Sequence, residues 1–259
     1  MFDRRIFFLI LVILLSGNCL SAQTASSSGR LRIAAAADLQ PVLPEIIREF
    51  EQQAGIRTDA SFQSSATLAT QIINGAPFDL FLAADTSFPQ RVIDGGRAEE
   101  PRPIPSANGT LVLWTRNDSG VRSLTAEALS SDAIRSIAIA NPEHAPYGGA
   151  ARATLEHWRI LSAVRPKLRI AENIAQAAQY ADSGNAQVGF ISLTSALTPR
   201  LETNGHFVRV PPQDYPPLLQ GAVIVRGAAH ASAAHRFLDF LHTPSVAHTL
   251  VLRGLEPVS

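Results

Sequence analysis

The sequence predicts an α/β fold in two lobes, each built on a mainly parallel sheet flanked by helices, with a cleft between the lobes. Short apolar runs alternate with segments whose apolar residues recur at helical spacing, which is typical of parallel sheets covered by helices. This alternation occurs in two successive blocks of similar size. Behind an N-terminal leader, about 235 residues remain, enough for two lobes of ordinary domain size.

The first block alternates strand and helix from residue 31 onward. A buried strand is expected at 31–37, and the next apolar residues recur at helical spacing: Val42, Leu43, Ile46, Ile47 and Phe50. We expect this helix to begin near Gln40, because Pro41 suits a first helical turn. The block continues with expected strands at 58–62, 79–83 and 111–115 and expected helices at 65–74 and 87–94.

The second block repeats this alternation of strands and helices, and the chain then returns to the first block. Its expected strands are 134–140, 168–171 and 188–193, and its expected helices are 149–161 and 174–182. Two returning strands follow at 207–210 and 222–225. The chain closes with a helix that carries Phe237, Leu238 and Leu241 and with a second helix capped by Thr243 with Pro244 at its first position. We therefore divide the chain into lobe 1, residues 31–107 plus 222–259, and lobe 2, residues 108–221.

Residues 1–22 have the anatomy of an export signal peptide. Two arginines precede an apolar run at 6–15, and small and polar residues follow at 17–22. This apolar run is too short to span a bilayer comfortably. We expect cleavage near Ala22, a polar spacer at 23–30 and a periplasmic protein. Lipidation at Cys19 is the less favoured alternative, because Ser16 and Asn18 are poor residues beside such a processing site.

Composition excludes several classes of function. The 22 basic and 22 acidic residues balance, so no basic surface suited to nucleic acid is expected. The single cysteine lies in the leader, which removes thiol chemistry from the mature chain. His230 and His235 are five residues apart and fall on different helix faces, so we expect no metal-cation site. No nucleophile stands in a recognisable catalytic motif, which favours a binding protein over an enzyme.

Polar residues follow several of the predicted strands. In two-lobed α/β proteins the carboxyl ends of the strands face the shared crevice, so the residues just after each strand are candidate ligand contacts. This rule selects the following residues: Ala37 and Asp38, Ser64 and Ser65, Ala84 and Asp85, the loop 141–148, Asn173 and Ile174, and Ser192 and Thr194. Of these, Asp38, Ser65, Tyr147, Ile174 and Ser192 are the main candidates. A serine at a helix start presents its hydroxyl and unpaired backbone N–H groups together, which suits an anion. Ordinary helix capping is the competing interpretation of such serines.

Asp38 raises a conflict, because a carboxylate aimed at a bound anion would repel it. One alternative places Asp38 in a loop with its side chain turned away and its backbone N–H toward the ligand. In the other, the carboxylate lines the pocket, and the ligand is then cationic, zwitterionic or a hydrogen-bond donor.

Five ordered segments together resemble a known family, the periplasmic molybdate-binding proteins of ABC transporters, which have the two-lobed (type II-like) periplasmic binding-protein fold. The segments are 34–39, 64–68, 75–85, 141–148 and 188–192. The resemblance implies an oxyanion, molybdate or tungstate, held between the lobes by neutral hydrogen bonds and delivered to a membrane permease. It implies no resident cofactor and no direct metal-cation ligand. We expect a monomer, since closing around a small ion needs no second subunit.

The resemblance also assigns roles to the candidate residues. Ser65 matches a family serine that uses both its hydroxyl and its backbone N–H, while Tyr147 and Ile174 match positions that donate a backbone N–H. Asp38 stands where many members have a serine, and Ser192 where some have a tyrosine, so both departures alter a side-chain donor.

Two alternatives remain at this point. Asp38 favours a related binding protein for another oxyanion or for a small organic solute. A secreted α/β hydrolase using Ser65 or Ser192 with His144 is supported by residue types alone.

Overall fold

The structure is a computed structural model that describes residues 29–258. The predicted leader at 1–22, with Cys19, and the spacer up to residue 28 lie outside the described residues. Within the described range, the helices are all too short or too polar to cross a bilayer.

Helices and strands alternate along the described chain. The strands are β1 (Leu31–Ala36), β2 (Thr58–Gln63), β3 (Leu80–Ala83), β4 (Ile104–Gly109), β5 (Leu111–Arg116), β6 (Ile137–Ala140), β7 (Leu168–Ala171), β8 (Val188–Ser192), β9 (Gly205–Arg209), β10 (Leu218–Ile224) and β11 (Glu256–Pro257). The helices are α1 (Leu43–Ala54), α2 (Ser65–Ile73), α3 (Ser87–Asp94), α4 (Ala126–Ser130), α5 (Pro146–His157), α6 (Leu161–Val164), α7 (Ile174–Ser183), α8 (Leu193–Ala196), α9 (Pro199–Asn204), α10 (Ala231–Leu241) and α11 (Pro244–Leu252).

The strands form two mixed sheets flanked by helices, which confirms the predicted two-lobed α/β class. One sheet has six strands in the order β11-β4-β10-β3-β1-β2, and the other has five in the order β7-β6-β8-β5-β9. In each sheet one strand pairs in parallel with both neighbours: β1 with β2 and β3, and β6 with β7 and β8. The strands added on one side of each parallel trio pair antiparallel.

Both faces of the sheets are covered, and successive residues of a strand serve opposite faces. In β1, Ile33 and Ala35 join the core under α1 and α10, whereas Ala34 joins the core under α2 and α3. In β5, Leu113 and Trp114 divide in the same way between the two cores of the second lobe. Burial on both faces explains why the sequence shows apolar runs in these strands instead of alternation.

The chain passes between the lobes at two neighbouring connections. Thr110 alone separates β4 of the first sheet from β5 of the second, and residues 210–217 lead from β9 back to β10. The predicted lobe boundaries at 107 and 222 therefore fall inside β4 and β10. The two connections contact each other where the Leu111 backbone N–H donates to the Tyr215 hydroxyl at 3.2 Å.

Two helix starts differ from the sequence prediction. Residues 37–39 form a short 3-10 turn, and α1 begins at Leu43 instead of near Gln40, with Pro44 in its first turn. The helix expected at 149–161 is α5, which begins at Pro146 because proline is suited to a first helical position. It ends at His157, and Arg159 then adopts a left-handed backbone conformation with φ of 59°.

Asp79 joins three parts of the first lobe at the buried end of β3. Its fully buried carboxylate accepts hydrogen bonds from the Arg32 backbone N–H at 2.8 Å and the His230 backbone N–H at 3.2 Å. The His230 ring Nδ1 lies 3.1 Å from the same carboxylate. Since His230 precedes α10, the Asp79 carboxylate links β1 and β3 to the C-terminal helices.

We expect Asp79→Ala to lower the free energy of unfolding by about 3 kcal/mol, because it leaves buried backbone donors without an acceptor. Equilibrium urea unfolding measures this change. Asp59→Ala is the control, since Asp59 forms an exposed ion pair with Arg30 and should contribute less than about 1 kcal/mol. Similar losses in the two variants would contradict the assigned role of Asp79.

Candidate functional site

Three helices begin at the gap between the lobes, each directly after or close to the carboxyl end of a parallel strand. Ser65 is the first residue of α2, Tyr147 the second of α5 and Ile174 the first of α7. A backbone N–H in the first turn has no acceptor within its own helix. The three starts therefore direct donors and the positive ends of their helix dipoles toward one region.

These starts surround a small cavity between the lobes, with about 190 Å³ of empty space that partly opens to solvent. Its walls are Ala36, Ala37, Asp38, Gln63, Ser64, Ser65, Ala84, Ala145, Pro146, Tyr147, Asn173 and Ile174. Among these lining residues there is no lysine, arginine or histidine. An anion in this cavity would be held by neutral donors only.

Ser65 is buried with its hydroxyl fixed from one side. Its Oγ accepts a hydrogen bond at 3.1 Å from the backbone N–H of Ala84, the residue after β3, which ties the start of α2 to the end of that strand. This bond uses an oxygen lone pair and leaves the hydroxyl hydrogen available to a ligand. The neighbouring Ser64 performs the ordinary capping role, since its Oγ accepts from the Thr67 backbone N–H at 3.2 Å. Of the paired serines, Ser64 therefore caps α2, and Ser65 keeps a hydroxyl hydrogen available to a ligand.

The start of α5 is held close to its preceding strand by Gly148. A Cβ built on Gly148 would lie 2.3 Å from the Ala140 carbonyl oxygen, whereas the nearest atom to one built on Gly149 is the Pro142 carbonyl oxygen at 3.8 Å. Only a residue without a side chain fits this close backbone approach. Gly148 consequently positions the adjacent Tyr147 backbone N–H at the cavity.

Asp38 lines the cavity from the 3-10 turn that follows β1 and is completely buried. Its Oδ2 accepts a hydrogen bond from the Gln220 side-chain amide of β10. Its other oxygen, Oδ1, has no fully formed hydrogen bond; the Tyr147 hydroxyl lies beside the carboxyl group, close enough to stabilise its charge, and has no other partner itself. The carboxyl group of Asp38 is therefore buried between Gln220 and Tyr147 in the wall beside the cavity, and both sequence alternatives for its role toward the ligand stay predictions.

Burial raises the pKa of Asp38 from 3.8 to about 7, because the charged form loses its hydration. Its own backbone N–H, the Tyr147 hydroxyl and the Gln220 amide oppose this rise by stabilising the carboxylate. Burial also raises the pKa of Tyr147 well above its usual value, and the neighbouring Asp38 charge adds to the rise. Asp38 thus changes charge near neutral pH, while Tyr147 stays protonated there.

Ser192 does not line the cavity. Its hydroxyl accepts from the Ser195 backbone N–H at 3.2 Å as the cap of α8, and it contacts the Thr194 hydroxyl at 2.8 Å. Thr194 in turn donates to the Asp38 backbone carbonyl at 2.7 Å. The Ser192 hydroxyl is therefore engaged in local capping and reaches the cavity wall only through Thr194, and its direct contact with the ligand stays a prediction.

The strand-end rule also selected Ala84, which follows β3, and Asn173, which precedes α7, and both line the cavity. Two further residues at the site were not selected from the sequence. Gln63 lines the wall from the end of β2. Gln220 has no local signal, because it lies inside β10 and meets Asp38 only through the fold of the lobe.

The lobes contact each other directly beside the cavity. The Ala66 backbone N–H of α2 donates to the His144 carbonyl of the second lobe at 3.1 Å. The His144 ring Nδ1 lies 3.3 Å from the Asn141 side-chain amide, and neither Ser65 nor Ser192 is its partner. The hydrolase alternative therefore lacks the paired serine and histidine that it requires.

A larger groove runs along the outside of the same interface, between Pro41 and α7, with about 1090 Å³ of space that is largely open. Its charged residues Asp182 and Arg200 already form an ion pair at 2.6 Å. No helix start is directed into it from β2 or β6, so the small cavity is the better candidate site.

Comparison of this chain with known proteins identifies its family. Residues 31–256 match the family of bacterial extracellular solute-binding proteins. The chain belongs to this family. Among curated relatives of this solute-binding protein, the molybdate-binding protein ModA of Rhodobacter capsulatus is 34% identical over 219 residues, 85% of each chain. The ModA protein of Azotobacter vinelandii is 33% identical over 230 residues, 89% of this chain and 91% of that protein.

Solved structures agree with the fold of this solute-binding protein. The periplasmic molybdate-binding protein of Azotobacter vinelandii superposes with a TM-score of 0.82 at 28% identity, over 89% of this chain and 100% of that chain. The match covers both lobes and the cavity between them.

We expect Asp38→Asn to stabilise the ligand-free solute-binding protein at pH 8 by up to about 4 kcal/mol and to have little effect near pH 4. The folded state holds the Asp38 proton up to about pH 7, whereas the unfolded chain releases it near 3.8, so the wild type loses stability as pH rises between these values. Urea unfolding at several pH values measures the gap, and Asp59→Asn is the exposed control. A gap that does not change with pH would contradict the raised pKa.

Proposed function

We propose that this protein captures molybdate or tungstate in the cavity between its lobes and delivers the anion to the membrane permease of an ABC transporter. The observation that carries the proposal is the convergence of three helix starts and the Ser65 hydroxyl on a cavity without any cationic lining residue. Relatives named for molybdate binding, alike over both lobes, support the same ligand class. The oxyanion is cargo, and the protein needs no resident cofactor.

The proposed contacts are the Ser65 hydroxyl with its backbone N–H and the backbone N–H groups of Tyr147 and Ile174. Each is a neutral donor directed from a different helix start, so together they enclose a tetrahedral anion from several sides. Molybdate and tungstate share shape and charge and should bind alike. The smaller sulfate would leave some donors unused.

Export and delivery complete the proposal. The leader at 1–22 directs the chain to the periplasm, where a monomer closes around the anion and presents it to the permease. The two adjacent connections at Thr110 and 210–217 suit this role, because they permit the lobes to move as rigid bodies.

A second candidate ligand class follows from the Asp38 carboxyl group at the cavity wall. An ionised carboxylate there favours a small organic solute that carries an amine or another hydrogen-bond donor. Asp38→Ser distinguishes the two classes: if the wild type ignores molybdate and the variant binds it, the carboxylate excludes the anion.

The first test is thermal unfolding of the protein with molybdate, tungstate, sulfate or phosphate. A ligand at 100 times its dissociation constant stabilises the folded state by about 2.7 kcal/mol, which raises the melting temperature of a chain of this size by several degrees, roughly 5 °C. We expect this rise with molybdate and tungstate and a much smaller one with the other anions. An unchanged melting temperature with all four would overturn the oxyanion proposal.

Ser65→Ala should weaken molybdate binding by about 1.5 to 3 kcal/mol, the scale of a hydrogen bond to a charged group. Isothermal titration calorimetry measures the change. Ser61→Ala is the matched control, because Ser61 is an exposed serine on the preceding strand β2. Equal affinities of the Ser65→Ala and Ser61→Ala variants would remove the Ser65 hydroxyl from the site.

A further inference from the structure

The buried carboxyl group of Asp38 has an unusual set of neighbours for a residue in an anion cavity. Tyr147 faces it from α5 and Gln220 from β10, Thr194 of α8 bonds the Asp38 backbone carbonyl, and Ser65 of α2 shares the cavity. Tyr147 is the titratable group among them. Within residues 29–258, no lysine, arginine or histidine forms an ion pair with Asp38.

The bonding of the two carboxyl oxygens is unequal. Oδ2 accepts from the Gln220 amide, while Oδ1 is buried without a fully formed hydrogen bond beside the Tyr147 hydroxyl, which has no other partner. A carboxylate can only accept at Oδ1, whereas a protonated carboxyl group can donate there. The protonation state of Asp38 therefore decides whether this wall of the cavity offers an acceptor or a donor.

An oxyanion in this cavity cannot coexist favourably with an ionised Asp38. Both would carry negative charge within one small space, and like charges that share a site raise each other's proton affinity. The helix starts that attract the anion also attract the carboxylate, so an ionised Asp38 competes with the ligand for the same partial charge. Neutralising Asp38 removes both effects.

We propose that Asp38 binds one proton from solvent whenever the protein binds its oxyanion, so that the anion is held opposite a neutral carboxyl group and binding is coupled to proton uptake. The reaction at Asp38 is the addition of a proton to Oδ1, with no other bond made or broken. Oδ2 continues to accept from Gln220, and the new O–H donates toward Tyr147 or the anion. This inference rests on the proposed oxyanion function.

The coupling predicts a definite dependence of affinity on pH. Below about pH 6, ligand-free Asp38 is already protonated and affinity is constant. Above pH 7 only the remaining protonated fraction is competent to bind, so the apparent dissociation constant rises about tenfold per pH unit, or about fiftyfold between pH 7 and pH 9.

The test is calorimetric titration of the protein with sodium molybdate between pH 6 and pH 9. At pH 8, two buffers of different ionisation enthalpy report the number of protons taken up per molybdate bound. We expect nearly one proton for the wild type and none for Asp38→Asn, whose amide stays neutral and keeps one acceptor for Gln220 and one donor. The affinity of Asp38→Asn should not depend on pH, and the exposed variant Asp59→Asn should behave as the wild type does.

The outcomes separate this inference from the proposed function. Molybdate binding by the wild type that is constant from pH 6 to pH 9, without proton uptake, would overturn the coupling and leave the oxyanion function standing. The same pH dependence in Asp38→Asn as in the wild type would place the proton elsewhere and also overturn it. If neither protein binds molybdate, tungstate or sulfate at any pH, the proposed function fails and the coupling fails with it.

Discussion

The parallel pairing of β1 and β6 with both of their neighbours is the constraint on which the site depends. Parallel strands end at the same edge of a sheet, so the helices that follow them begin side by side. In this chain both lobes turn that edge toward the gap between them. The starts of α2, α5 and α7 meet there because each belongs to such a strand-to-helix connection. The chemistry of the cavity therefore follows from the order of the strands.

The electrostatics of the cavity combine two opposing elements. Helix starts supply partial positive charge from the backbone, and no side-chain cation among the lining residues adds to it. Asp38 supplies the opposing element, a carboxyl group whose pKa is raised to about 7 because it is buried. In such a site the charge of one side chain, Asp38, changes with its protonation, whereas the partial positive charge of the backbone at the helix starts stays constant.

Much of the fold could be predicted from the sequence, because buried parallel strands and amphipathic helices leave periodic patterns. The helix α3 has the predicted bounds of 87–94, and β7 those of 168–171. The strand β4 was not predicted, since its sequence IPSANG buries only Ala107 and has neither an apolar run nor alternation. The short helices α4, α8 and α9 and the two-residue β11 give similarly weak signals. The starts of α1 and α5, which have a proline in their first turn, were misplaced by a few residues, whereas α11 begins at Pro244 as predicted.

Cavity residues could be predicted where their position after a strand or at a helix start marks them in the sequence. Contacts between residues far apart in the chain could not be predicted. Ser65, Tyr147 and Ile174 were found because strand ends and helix starts are visible in the sequence. The orientation of Asp38 was not, because its partner Gln220 lies 182 residues away. For Ser192, the position after a strand suggests a ligand contact, which stays a prediction, and the structure shows that its hydroxyl accepts a hydrogen bond from the backbone of its own helix, α8.

Reliance on backbone donors has a consequence for how such a site changes over evolutionary time. A backbone N–H survives every substitution except proline, so a change of side chain at Ile174 would keep the donor proposed there. Such tolerance fits a fold that is kept at 28% identity with a TM-score of 0.82. Selection for a new ligand would then act on few positions, and a lineage could exchange its cargo by altering one wall while its scaffold stayed the same.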